Sequence, residues 1–184
     1  KKGNVYGSGV FETFLSINGY LAPFLIGVII ATMFSGSPFM IDGTRYTQWM
    51  ASTRGLEALS IPFNLLGGIS VVLVSRVLGM LYITNSVREE SIIRIIERKR
   101  IKETIITVAF LGAFALWIFL LPGAASMNGQ ISIEPNRYLH TFMQYPLSIF
   151  LPFVIGLGLF VFGAFKGAKI GFWFASAGTV MMVF

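Results

Sequence analysis

Five runs of apolar residues, each approaching or exceeding the thickness of a bilayer core, follow one another along the chain at 14–34, 61–83, 104–121, 147–165 and 170–184. A hydrocarbon core about 30 Å thick is crossed by a helix of about 20 residues. Inside lipid no water is available to the backbone, so a spanning segment must be a helix or part of a closed barrel. The alternation of a barrel strand is absent, which argues for helices. The expectation is an all-α membrane protein, a bundle of about five transmembrane helices in a single domain over residues 1–184. The chain begins at Lys1 rather than Met, and its last run is still apolar at Phe184. A longer parent chain, with helices at both ends, is expected.

Composition closes the soluble alternative. Hydrophobic residues make up 55% of the 184 and charged residues only 12%, with mean hydropathy +0.76. Soluble domains carry about 25% charged residues, and so short a chain has too little interior to hide this much apolar surface. There is no cysteine, so disulfides, thiolate metal sites and cysteine nucleophiles are excluded for this stretch.

The net charge of +6 invites a nucleic-acid reading, but its distribution is that of topogenic loop charge, and no nucleic-acid partner is expected. With five crossings, the N-terminus, the loop after the second run and the loop after the fourth share one side. That side carries Lys1, Lys2, Arg88, Arg94, Arg98, Lys99, Arg100, Lys102, Lys166 and Lys169. The other side carries Arg45, Arg54 and Arg137. By the positive-inside rule the N-terminus of this stretch is expected in the cytoplasm.

Local signals fill in the connections. Pro122-Gly123 stops the third helix. Pro23, Pro62 and Pro152 are expected to kink or begin helices, because a bundle can re-satisfy freed carbonyls. Gly67-Gly68 favours close packing. Ile92, Ile95 and Ile96 lie at helical spacing, with Glu90, Arg94 and Arg98 at i+4 steps, so an amphipathic helix is expected to continue into the third run. The connection at 35–58 is expected at the outer face, with Trp49 at headgroup level. The connection at 123–146 reads as polar and irregular, with a turn at Asn128-Gly129.

The side-chain chemistry is sparse. All eight acids (Glu12, Asp42, Glu57, Glu89, Glu90, Glu97, Glu103 and Glu134) read as loop or helix-end residues, so the membrane-embedded carboxylate of a proton-coupled transporter is missing. His140 is the only histidine, where a bis-histidine haem needs two. It reads as a loop residue near the outer interface, against the alternative of a ligand or quinone contact. Most methionines read as packing residues. Arg76 is the one charge well inside an apolar run, at a cost of about 2.5–3.5 kcal/mol on insertion scales. Two readings stand: its long side chain snorkels to the headgroups, or it meets an anion, whether propionate, acidic side chain or lipid phosphate, from a neighbouring subunit. Small residues at four-residue spacing, Ala109 and Ala113, then Gly171, Ala175 and Thr179, fit either internal packing or a face between subunits. No metal site and no catalytic residue is expected in this chain, and no phosphate-cradling loop or catalytic triad is visible.

The run Asn18-Gly19-Tyr20-Leu21-Ala22-Pro23-Phe24-Leu25-Ile26-Gly27-Val28, followed by Phe34-Ser35-Gly36-Ser37-Pro38-Phe39 and Gly55-Leu56-Glu57-Ala58-Leu59-Ser60-Ile61-Pro62-Phe63-Asn64-Leu65-Leu66-Gly67-Gly68, resembles the middle of subunit II of cytochrome bd-type terminal quinol oxidases. The order of helices and the basic loop after the second run fit as well. The resemblance implies a complex of the bacterial cytoplasmic membrane that oxidises quinol and reduces dioxygen to water. It implies two haems b and one haem d in a partner, subunit I. Subunit II would be built of two four-helix bundles with an extra helix, would support haem assembly, and could hold a structural quinone or lipid. For this chain it implies no cofactor bound directly, with subunit I, quinone and membrane lipids as partners. Arg76 is the candidate contact for lipid, quinone or a partner anion. Many members carry a Gly-Asn pair where this chain has Ala31-Thr32, and no catalytic residue carries over. The rival readings are a secondary transporter or permease domain, and a membrane scaffold without a redox partner.

Overall fold

A computed structural model describes residues 8–37, 39–41, 46–127 and 130–183. The helices are α1 (Ser8–Ser35), α2 (Pro62–Ser86), α3 (Glu90–Leu120), α4 (Arg137–Gln144), α5 (Pro146–Lys166) and α6 (Ala168–Val183). Among the described residues, α1, α2, α3 and α5 are long and apolar enough to cross a membrane. α6 is a shorter apolar helix of 16 residues. The third run extends well upstream of 104: α3 is a single helix of 31 residues, about 46 Å at 1.5 Å per residue. The expected amphipathic stretch forms its first turns, where Arg94 pairs with Glu90 at 3.6 Å, one turn apart.

α1 and α2, α2 and α3, and α5 and α6 run antiparallel. α1 crosses α2 at glycines: a Cβ on Gly27 would lie 2.6 Å from the Gly67 carbonyl oxygen, and one on Gly68 would lie 2.7 Å from the Phe24 ring. α2 meets α3 through Phe63, stacked on Phe114 at 4.9 Å and edge-on to Trp117 at 6.0 Å. α5 and α6 form a hairpin in which Gly156 faces Gly178, and Gly163 faces Gly171 and Ala175. A core of Val74, Val77, Leu81, Phe160, Ala164 and Ala175 fixes this hairpin to α2. Gly171 and Ala175 therefore pack inside the chain, whereas Ala109 and Ala113 on α3 are exposed.

The prolines do what their positions permit. Pro62 and Pro146 open α2 and α5, where no intrahelical N–H is needed. Pro23 and Pro152 lie inside α1 and α5. α3 ends at Leu120, ahead of Pro122.

The topology gathers two different ends. At one lie the start of α1, the α2–α3 connection and the α5–α6 turn, with most of the described basic residues. At the other lie two short β-hairpins, β1 (Phe39–Ile41) with β2 (Thr47–Trp49) and β3 (Gly123–Met127) with β4 (Gln130–Glu134), and α4. The irregular connection expected at 123–146 is thus corrected to a hairpin followed by an amphipathic helix. Short-range antiparallel pairing organises that connection, in the register Gly123↔Glu134 to Met127↔Gln130. Asn128-Gly129, Asp42, Arg45, Lys1 and Lys2 lie outside the described residues.

Tertiary hydrogen bonds join this end. Asn64 is fully buried, accepts from the Ser35 hydroxyl at 2.9 Å and donates to the Ala58 carbonyl at 3.0 Å. The Tyr138 hydroxyl donates to the Phe34 carbonyl at 3.2 Å. Glu57 is held by the Thr53 hydroxyl and by the Gly55 N–H at 3.0 Å. The Thr53 hydrogen bond, above all, keeps this carboxyl below its ordinary pKa. Trp49 packs edge-on to Phe39 and covers Gly55.

Candidate functional site

α1 and α2 approach most closely at Gly27, Gly67 and Gly68, and towards the basic end larger side chains line the space between them. The space between them is an open-sided groove of about 930 Å³. Leu21, Phe24, Ile69 and Leu73 form its apolar walls, and Glu12, Thr13, Ser16, Tyr20 and Arg76 supply its polar groups.

Arg76 lies at the edge of this groove and has a partner within its own chain. Its Nη2 donates to Glu103 Oε1 of α3 at 2.5 Å, and its guanidinium carbon lies 5.9 Å from the Tyr20 ring centroid. The two side chains are 38% and 19% exposed, so each charge is partly removed from solvent and the pair neutralises both. This changes the reading of the acids: Glu103 lies well inside α3 and is a structural counter-ion. In an antiparallel pair closed near residue 88, the residues facing Arg76 fall near 100–103. That register is the signal by which Glu103 could have been found. Glu12 was legible only as a helix-end acid, and the groove that it lines depends on how α1 leans on α2.

The groove is amphipathic, with a charged and hydroxyl-bearing pole and apolar walls. Its chemistry suits a molecule with a polar head and a long hydrocarbon tail. Among the described residues, no group of three or more His, Cys, Asp or Glu could hold a metal ion.

His140 stands elsewhere, exposed on α4 at the hairpin end, beside Glu134, Arg137 and Gln144. Arg137 and Glu134 form an ion pair at 3.1 Å there. His140 lies outside the four membrane-length helices and offers one imidazole, where a bis-histidine haem needs two.

The buried Arg100 was visible in sequence only as one of many loop cations. It is 6% exposed and lies against Gly167 in the α5–α6 turn.

A family model described as cytochrome bd terminal oxidase subunit II matches residues 2–184. No curated protein matches the chain. The family accounts for a multi-pass membrane protein that works in a terminal oxidase complex containing haem, and nothing in the fold favours a transporter. The order of the apolar helices, the basic end and this match over nearly every residue agree: the chain belongs to the cytochrome bd terminal oxidase subunit II family.

Proposed function

We propose that this chain is the supporting subunit of the oxidase. It packs against a haem-bearing subunit I in the bacterial cytoplasmic membrane, and quinol oxidation and dioxygen reduction proceed on that partner's haems b and d. The observation that supports this reading is the placement of His140, the one histidine in this sequence, exposed on α4 outside the membrane-length helices. A reduced-minus-oxidised spectrum of the native, full-length complex in mild detergent should show b- and d-type bands with quinol-dependent oxygen uptake. After dissociation the colour should remain with the partner. Haem bands travelling with this chain would sink the division of labour.

The groove between α1 and α2 is the proposed seat of a structural quinone or lipid, its head near Arg76 and its tail along Leu21, Phe24 and Leu73. Extraction of the purified complex should release less quinone or lipid from Arg76→Ala than from the parent. Equal retention with intact assembly would remove Arg76 from that role.

The basic end is proposed to face the cytoplasm. Since this stretch has no cysteine, single cysteines at Arg98 and Thr53 can report sidedness. A membrane-impermeant thiol reagent applied to intact spheroplasts should label Thr53→Cys and spare Arg98→Cys, and the reverse pattern would invert the topology.

A further inference from the structure

Arg98, Lys99 and Lys102 on α3 are exposed, while Arg100 between them is buried. Its Nε and Nη1 atoms have no hydrogen-bond partner among the described residues. The neighbouring acids do not serve it: Glu97 is exposed and Glu103 binds Arg76. A guanidinium cannot shed its proton, so a buried one needs an acceptor, and an anion is the best match.

The guanidinium points into the α5–α6 turn. A Cβ on Gly167, whose φ is +59°, would lie 2.6 Å from Arg100 Nη2 and 2.8 Å from Nη1, so the close approach requires glycine. Gly167 immediately precedes α6. The first intrahelical bond of α6 runs from the Gly171 N–H to the Gly167 carbonyl, at 3.2 Å. The N–H groups of residues 168–170 therefore have no acceptor within the helix, and they carry the positive end of its dipole. No Asp or Glu follows Glu134 in the sequence, while Lys166 and Lys169 flank this turn.

We propose that Arg100 and the first turn of α6 form a binding site for a phosphate group. A phosphate offers several acceptor oxygens to a planar guanidinium fork and a row of backbone N–H groups, the arrangement that holds such anions at helix N-termini. The depth favours the headgroup of a phospholipid over free phosphate. Arg100 lies one turn before the apolar run at 104–121, and the turn it touches closes the spanning helix α5. The site therefore sits at the edge of the hydrocarbon, where lipid phosphates lie. This site is separate from the α1–α2 groove and does not depend on the assignment of the haems.

The test uses the assembled, full-length oxidase in mild detergent. Native mass spectrometry and phosphorus analysis would compare the parent with Arg100→Met, Arg100→Lys and the exposed control Arg98→Met. The parent and Arg98→Met should retain one phospholipid that Arg100→Met loses. Arg100→Lys, which keeps the charge but not the fork, should hold it about tenfold more weakly. If delipidated parent instead takes up one equivalent of inorganic phosphate and Arg100→Met does not, the site stands and its source is the free anion. Equal phosphorus in parent and Arg100→Met overturns the proposal. Should Arg100→Met fail to assemble, a density map of the parent complex decides. Tetrahedral density against Arg100 Nε and Nη1 supports the site, and a protein carboxylate or an empty space there overturns it.

Discussion

The α5–α6 hairpin and the α1–α2 pair both use glycine to bring helices together, but they place it differently. In α5 and α6, Gly156 and Gly163, and Gly171 and Gly178, recur at seven-residue spacing, so contact is renewed along the hairpin. Between α1 and α2 the glycines Gly27, Gly67 and Gly68 meet at one level only. Beyond that level, towards the basic end, Tyr20, Arg76 and the ion pair to Glu103 take over, and the groove opens beside them. Glycine contact renewed along the length makes a closed pair, and glycine contact at one level leaves a groove beside it. In a bilayer, where apolar side chains gain little by leaving lipid for a neighbouring helix, such close approach is a main source of helix association.

The largest expected effect lies in the closed pair. A Cβ at Gly163 would sit 2.5 Å from the Ala175 nitrogen and the Gly171 oxygen, backbone atoms that cannot rotate away. Gly163→Val should therefore destabilise the subunit by about 3 kcal/mol or abolish assembly. Gly158 and Gly79 have nothing within 4 Å of a Cβ, so alanine there should be neutral or gain up to about 1 kcal/mol from helix propensity. Thermal melting of the purified complexes would check both, and equal effects would break the comparison.

The next effect tests the open pair. Glu103→Gln leaves Arg76 without its counter-ion and should destabilise by about 1–2 kcal/mol, discounted because Arg76 is more than a third exposed. The double variant Arg76→Leu/Glu103→Leu should recover much of that loss, and a double-mutant cycle measures the coupling.

Smaller effects belong to the hairpin end. Tyr138→Phe removes the hydrogen bond to the Phe34 carbonyl and should lower stability by about 0.5–1.5 kcal/mol. The least effect is at Glu57. Its folded pKa is lowered, so the stabilisation is present above the unfolded pKa and is lost as pH falls through the folded one. The Gly55 amide resonance should move over that acid range in the parent and stay still in Glu57→Gln.

The spanning helices were legible because lipid leaves the backbone little choice. The runs at 61–83 and 147–165 match α2 and α5 closely, and Pro62, Pro122 and Pro146 mark boundaries for steric reasons. α1 begins earlier than its run, at Ser8 rather than residue 14, because a polar or acidic residue such as Glu12 is accepted where a helix nears the membrane surface. The two β-hairpins were missed, since strands this short depend on local pairing and leave little periodic signal. At the candidate site, Arg76 stood out as a charge in an apolar run. Its partner Glu103 did not, because an acid at the edge of a run looks like any helix-end acid until the register is known.

The sequence alone determined that the chain lies in a membrane as a helical bundle, that its positive charge gathers at one end, and that its motifs resemble one oxidase subunit. Hydrocarbon thickness, backbone hydrogen bonding and loop charge act on single segments, so they can be read along one line of residues. Only the tertiary structure decided that Arg76 meets Glu103, that a groove opens between α1 and α2, and that Arg100 is buried against Gly167. Each of these depends on the register and crossing of two helices. Register is set by where small residues let backbones touch, and that is a property of pairs of segments.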